Sequence, residues 1–190
     1  EDYIGEVKYQ ISPLSFFQVN PVQTERLYGK ALEYAGLTGE ETVWDLYCGI
    51  GTISLFLARK ARKVYGVEII PDAIEDARRN ASLNGFANTE FYVGKAEEVL
   101  PEKIRKKKRP RRCHRRRPTP AKAATKTSSL PWSKCSLRGS FTSAATARRW
   151  RGIWRYLCDN GYELKRVCPA DMFPQTVHVE TVVLLQRKNM

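Results

Sequence analysis

No stretch of the 190 residues approaches the ~18–20 consecutive apolar positions that a membrane-spanning helix needs, so no membrane partner is expected. No charged n-region followed by an apolar stretch opens the chain, and no signal peptide is expected. Cysteine shows no paired spacing. Cys48, Cys113, Cys135, Cys158 and Cys168 are odd in number and contain no C-x-x-C spacing. That excludes an ordinary disulfide framework or a zinc knuckle and predicts a reducing, cytoplasmic setting. His178 stands without a metal triad, so no metal is expected. Internal repeats are absent. Acidic residues are missing from one region only: residues 104–155 hold 18 Lys or Arg and no Asp or Glu.

That region produces the whole basic excess. The formal net charge is +13, from 33 Lys or Arg against 20 Asp or Glu, and outside 104–155 the balance is −5. The segment also holds Trp132, Trp150 and Trp154, three of the four tryptophans. A solvated basic loop, a disordered RNA-binding arm and sequence foreign to the fold all fit such a composition. The 42% hydrophobic and 11% aromatic content supplies a core for one domain.

The remainder alternates strand and helix. Asn20-Pro21 reads as a helix start, with Leu27, Tyr28, Ala31, Leu32 and Ala35 at helical spacing and Gly36 as the stop. Residues 42–47 read as a buried strand, 53–61 as a short apolar helix and 63–69 as a second strand. Pro71 opens a helix that ends at Asn84-Gly85, and 89–93 read as a third strand. After Arg155, runs at 162–167 and 179–186 predict a late antiparallel edge hairpin. The class is α/β with a mostly parallel sheet. Residues 104–155 show neither period, which leaves the fourth and fifth strands of such a sheet in doubt.

Three constellations carry chemistry. In the first, Asp45-Leu-Tyr-Cys-Gly-Ile-Gly51-Thr joins strand to helix, and Gly49 and Gly51 let a ligand approach the backbone. Glu68 ends the next strand, where a carboxylate accepts both hydroxyls of a ribose. Ser54 interrupts the three-glycine dinucleotide fingerprint, which favours S-adenosylmethionine over NAD. A plain glycine turn with Glu68 as a surface charge is the competing account. In the second, residues 15–21 place Phe16, Phe17 and Gln18 ahead of the first helix. They line a pocket, or else they are packed aromatics beside a capped helix. In the third, residues 171–181 carry His178 and Glu180, which face the same way on a strand. A carboxylate among apolar strand residues is costly unless it is paired or used.

Together S-F-F-Q-V-N-P, D-L-Y-C-G-I-G-T, G-V-E and D-M-F-P-Q-T-x-H-x-E resemble the catalytic domain of the S-adenosylmethionine-dependent RNA uracil-5-methyltransferases, which modify 23S rRNA or tRNA. The resemblance covers residues 1 to about 103 and 156–190. It implies a class I methyltransferase (Rossmann-like) fold in a single, partial catalytic domain. It implies that Gln18, Tyr47, Gly49, Gly51 and Glu68 bind S-adenosylmethionine and that Glu180 is the general base. In the family a Cys thiolate adds to C6 of uracil, C5 attacks the methyl group, and a carboxylate then removes the C5 proton as elimination breaks the C6–S bond and frees the thiolate. The wording of the glycine turn favours 23S rRNA over tRNA, and a monomer is expected. The family's upstream β-barrel RNA-binding domain and four-Cys iron–sulfur site have no counterpart here, which predicts a fragment or truncated product.

One departure matters. The family's nucleophile string, V-S-C-N-P-[AS]-T-L-A-R-D, and its D-P-P-R string are both missing. Both belong between residues 104 and 155. Codons for residues 139–154, read from the third base, permit Ile-Val-Tyr-Val-Ser-Cys-Asn-Ser-Ala-Thr-Leu-Ala-Arg-Asp-Leu, with the Cys at the place of Ala144. Codons for residues 111–120, read from the second base, permit Ala-Asp-Val-Ile-Val-Val-Asp-Pro-Pro. The expectation is that 104–155 is a frameshifted, poorly packed or disordered segment and that the chain is inactive. Two other readings compete: a non-catalytic basic RNA-binding module on 104–155, with Arg and Trp stacking on bases, and a class I methyltransferase with another substrate.

Overall fold

The computed structural model describes residues 1–13, 15–107, 121–125, 137–144, 155, 157–176 and 179–188, with backbone alone at 104–107, 121–125 and 137–144. Strands β1 (Asp2–Ile4) and β2 (Val7–Tyr9) form a separate antiparallel hairpin. The main sheet comprises β3 (Thr42–Leu46), β4 (Lys63–Glu68), β5 (Thr89–Val93), β6 (Ala121–Thr125), β7 (Leu137–Ala144), β8 (Tyr162–Ala170) and β9 (Glu180–Arg187). Its order is β5-β4-β3-β6-β7-β9-β8. The first five are mutually parallel, and β9 runs antiparallel to β7 and to β8. Helices α1 (Pro21–Ala35), α2 (Thr52–Ala58), α3 (Pro71–Leu83) and α4 (Ala96–Lys107) complete the fold.

The helices start and stop where side-chain chemistry directs. The Asn20 side chain accepts from the Gln23 N–H, Pro21 takes the first position, and Gly36 closes α1 at φ 50. Both faces of β3 are covered. Val43 packs with Leu27, Leu55 and Ile74 beneath the hairpin and α1–α3. Trp44 and Leu46 pack with Leu100 of α4 and Leu157 on the other face. A strand buried on both faces shows no polar–apolar alternation; its two polar residues, Thr42 and Asp45, are buried with it.

Two findings go beyond the sequence reading, which left the fourth and fifth strands in doubt. Strands exist in 104–155 where no period was visible. β6 joins β3 in parallel, with Leu46 opposite Thr125, and β7 continues the sheet. A ladder is built from backbone N–H and C=O groups, so a strand inserted between β3 and β9 forms without an apolar signature of its own. β6 begins just past residues 111–120, onto which the codon reading writes a fourth strand, and residues 108–120 lie outside the described residues. Helix α4 was also unread, because Pro101 interrupts its pattern.

Candidate functional site

The carboxyl ends of the parallel strands build the site. β3 ends at Leu46, and the chain turns back through Tyr47 at φ 71, a left-handed conformation for a side chain other than glycine. The N–H groups of Tyr47 and Cys48 both donate to the Val67 carbonyl, at 2.7 and 3.0 Å, tying this turn to β4. Gly49 (φ 54) and Gly51 (φ 83) follow in the same region, where glycine carries no Cβ penalty. Gly51 is the N-cap of α2.

Glu68, the last residue of β4, is 9% exposed. Its Oε2 accepts the Gly49 N–H at 3.1 Å, and its Oε1 accepts the Ile69 and Ile70 N–H groups at 2.7 and 3.3 Å. The carboxylate is therefore fixed against the glycine turn by three backbone donors. Ser54, which breaks the dinucleotide fingerprint, donates its hydroxyl to buried Asp45 Oδ2. The residue that looked like a defect in a motif satisfies a buried carboxylate.

A cavity of about 1000 Å³ opens above this turn. Tyr47, Cys48, Gly49 and Glu68 form its floor, and Ser12, Ser15 and Phe16 form one wall. Asp72, Asp76 and Arg79 of α3 close another side. The aromatic pair ahead of α1 divides its work. Phe17 packs on Tyr9 at 5.8 Å between ring centroids, whereas Phe16 is 68% exposed at the cavity.

Of the residues expected to bind a cofactor, Tyr47, Gly49 and Glu68 line this cavity; Gly51, the N-cap of α2, does not. Gln18 is 6% exposed and lies outside the lining, and its Oε1 is buried with no hydrogen-bond partner among the described residues. Glu180 opens β9 and is 8% exposed. The register places it at the same carboxyl edge of the sheet, since Thr181 pairs Ala144 at the end of β7. It is separated from β3 by β6 and β7 and does not line the cavity. His178 lies outside the described residues. Sequence reasoning missed Ser12, Asp76 and Arg79, whose approach to the cavity depends on contacts between distant segments. Among the described residues no cluster of ligating side chains suits a metal, and no helix is long and apolar enough to cross a membrane.

The pattern of strands is shared with known proteins. The family described as Methyltransferase domain matches residues 37–109, the stretch that holds the glycine turn and Glu68. The solved Pyrococcus abyssi tRNA (uracil-54, C5)-methyltransferase, in complex with S-adenosyl-L-homocysteine, superposes with a TM-score of 0.74 at 26% identity over 97% of this chain and 43% of its own. The fold is that of a class I methyltransferase. A Pyrococcus horikoshii protein described as a putative RNA methyltransferase shares this methyltransferase fold at a TM-score of 0.65, with 13% identity over 97% of this chain and 94% of its own. In sequence, the chain is 52% identical over 98% of its length to an uncharacterized RNA methyltransferase of Clostridium acetobutylicum. It is 50% identical over 99% to one of Halalkalibacterium halodurans. The chain spans 40% and 41% of the length of these two relatives.

Proposed function

We propose that the chain is the S-adenosylmethionine-binding part of an RNA methyltransferase directed at C5 of uridine. The observation that carries this is Glu68: a nearly buried carboxylate at the carboxyl end of β4, held beside the glycine turn and bordering a large cavity. A ribose diol needs such a paired acceptor. The cavity also matches a ligand of nucleoside size or larger. Bound there, S-adenosylmethionine supplies the methyl group. Tyr47, Gly49 and Glu68 would hold it, while Gln18 and Gly51 stand outside the cavity lining.

RNA as the substrate class rests on the names of the relatives and on the uracil-5 string around Glu180. The wording of the glycine turn puts 23S rRNA ahead of tRNA. Glu180 is the base for the C5 proton, and the backbone register supports its place, since the Ala144 backbone pairs with the neighbouring Thr181. Ala144 is where the shifted reading restores the nucleophilic Cys. On this reading residues 104–155 are a frameshifted translation, and the chain binds cofactor without transferring methyl. DNA sequencing across residues 100–160 tests the frameshift, and an intact frame without indels against relatives refutes it.

The binding test is calorimetric titration with S-adenosylhomocysteine. Saturable binding is expected, weakened by at least tenfold (about 1.4 kcal/mol) in Glu68→Ala. Indifference to that substitution removes the carboxylate from the site. Methyl transfer by the unaltered chain to 23S rRNA or tRNA transcripts would overturn the inactivity.

A further inference from the structure

We propose that Asn80 is a positioning residue, the rung at which helix α3 locks the outer wall of the cavity to its glycine turn. The inference rests on the cavity being the cofactor site.

Helix α3 and its C-cap Asn84 present Asp76, Asn80 and Asn84 four residues apart, hence on one face. Each carries a side-chain hydrogen bond to the extended segment that follows β1. The Lys8 N–H donates to Asn84 Oδ1 at 2.9 Å, and Asn84 Nδ2 donates back to the Lys8 carbonyl at 2.7 Å. The Gln10 N–H donates to Asn80 Oδ1 at 2.8 Å, and Asn80 Nδ2 donates back to the Gln10 carbonyl at 3.2 Å. The Ser12 hydroxyl donates to Asp76 Oδ2, and Ser15 donates to the same oxygen at 3.1 Å.

The match is geometric. Four helical residues rise about 6 Å, and two extended residues span about 6.6 Å. Rungs at 84, 80 and 76 therefore meet 8, 10 and 12 in sequence, with the segment running antiparallel to the helix. A side-chain amide copies the donor and acceptor of a backbone peptide, so α3 substitutes for a missing strand neighbour.

Asn80 does more than the other two rungs. It is fully buried, and Nδ2 also lies 3.4 Å from the Ile50 carbonyl, which accepts from it. Ile50 sits between Gly49 and Gly51 and lines the cavity, as do Ser12 and Ser15 two and five residues beyond Gln10. One amide thus bonds the root of the outer wall and the glycine turn. Alanine at 80 would leave the Gln10 N–H, the Gln10 carbonyl and the Ile50 carbonyl without this partner, and both walls would drift relative to Glu68.

Asn88, half-buried, supplies a control of like chemistry. It too donates to two carbonyls, Ala58 and Ala61, both at 2.8 Å, but at the opposite end of the sheet from the cavity. The test is S-adenosylhomocysteine calorimetry on the wild-type chain, Asn80→Ala, Asn88→Ala and Glu68→Ala, combined with amide hydrogen exchange. Asn80→Ala is expected to weaken binding about tenfold or more and to speed exchange in both 8–19 and 47–51. Asn88→Ala is expected to stay within about twofold of wild type. Ser12→Ala, milder for folding, is expected to weaken binding a few fold with faster exchange in 8–19. Binding by Asn80→Ala at the wild-type level overturns the proposal. So does equal weakening by Asn88→Ala, or faster exchange in 8–19 with 47–51 unmoved. If wild type does not bind and Glu68→Ala changes nothing, the cofactor reading fails instead, and the exchange pattern alone decides whether Asn80 couples the two walls.

Discussion

Asn20 Nδ2 donates to the Met172 carbonyl at 3.1 Å, joining positions 152 residues apart in the chain. The same side chain accepts the Gln23 N–H through Oδ1 at 3.1 Å. One amide therefore caps α1 and anchors the loop that leads into β9 and Glu180. Met172, 1% exposed, is seated in the core beside α1 by that anchor. Two motifs that read separately in the sequence are one structural unit.

The two roles of Asn20 separate by substitution. Asn20→Asp keeps the Oδ1 acceptor and the cap while removing the donor to Met172. A loss of about 1 kcal/mol is expected in denaturant unfolding, with faster amide exchange in 171–176 and none in 21–25. Asn20→Ala loses both, with about 0.5–2 kcal/mol assigned to the cap and α1 fraying at its start. Equal effects of the two variants on α1 would mean that the cap contributes nothing.

Gly66 in β4 exists because of Phe91. A Cβ built there would lie 2.3 Å from the Phe91 ring and 2.9 Å from Cys48 Sγ. Phe91 is 4% exposed and also packs against Gly51, so the ring cannot swing away. Gly66→Ala is expected to cost about 1–3 kcal/mol by overpacking, measured as a drop in denaturant midpoint. Adding Phe91→Leu is expected to recover part of that loss, a coupling read by the double-mutant cycle. Additive losses would show that the two positions do not meet.

Tyr9 ties stability to alkaline pH. It is fully buried, and its hydroxyl donates to the Thr52 carbonyl at 2.8 Å, while Tyr28 bonds the Thr52 hydroxyl at 2.9 Å. Burial, then the neighbouring Tyr28, pushes the Tyr9 phenol well above its ordinary value. The unfolded chain ionises this group near pH 10, at about the model-peptide value. The folded chain does not, so the contribution is complete below about pH 10 and is lost as pH rises beyond it. Tyr92 moves in the same direction through burial and its bond to Glu90. Unfolding free energy is expected to fall above about pH 10, and Tyr9→Phe is expected to reduce that slope by one proton. An unchanged slope would show that Tyr9 ionises equally in both states.

The proposed frameshift makes the sharpest functional prediction. A chain carrying the restored frame over 104–155 places Cys where Ala144 pairs with Thr181, next to Glu180. Transfer of labelled methyl to a uridine-containing RNA is expected from the repaired chain and not from the present one. No transfer by the repaired chain that still binds S-adenosylhomocysteine would refute the nucleophile assignment.

The sequence by itself determined the elements whose signals are local. Pro21, Asn20 and Gly36 bound α1, and the doubly buried β3, the glycine turn and Glu68 at the end of a strand follow from neighbours in the chain. The placement of β6 and β7 was not legible, because their pairing with β3 and β9 is a property of backbone groups and of the gap those strands leave. Nor were the partners of Asn80, Asn20 and Phe91 legible, since each contact closes a span of many residues and no local period encodes it. Motif chemistry is written in adjacent residues. The walls that hold a motif in working geometry are written in amides and rings that meet only after folding, and tertiary structure alone decided them.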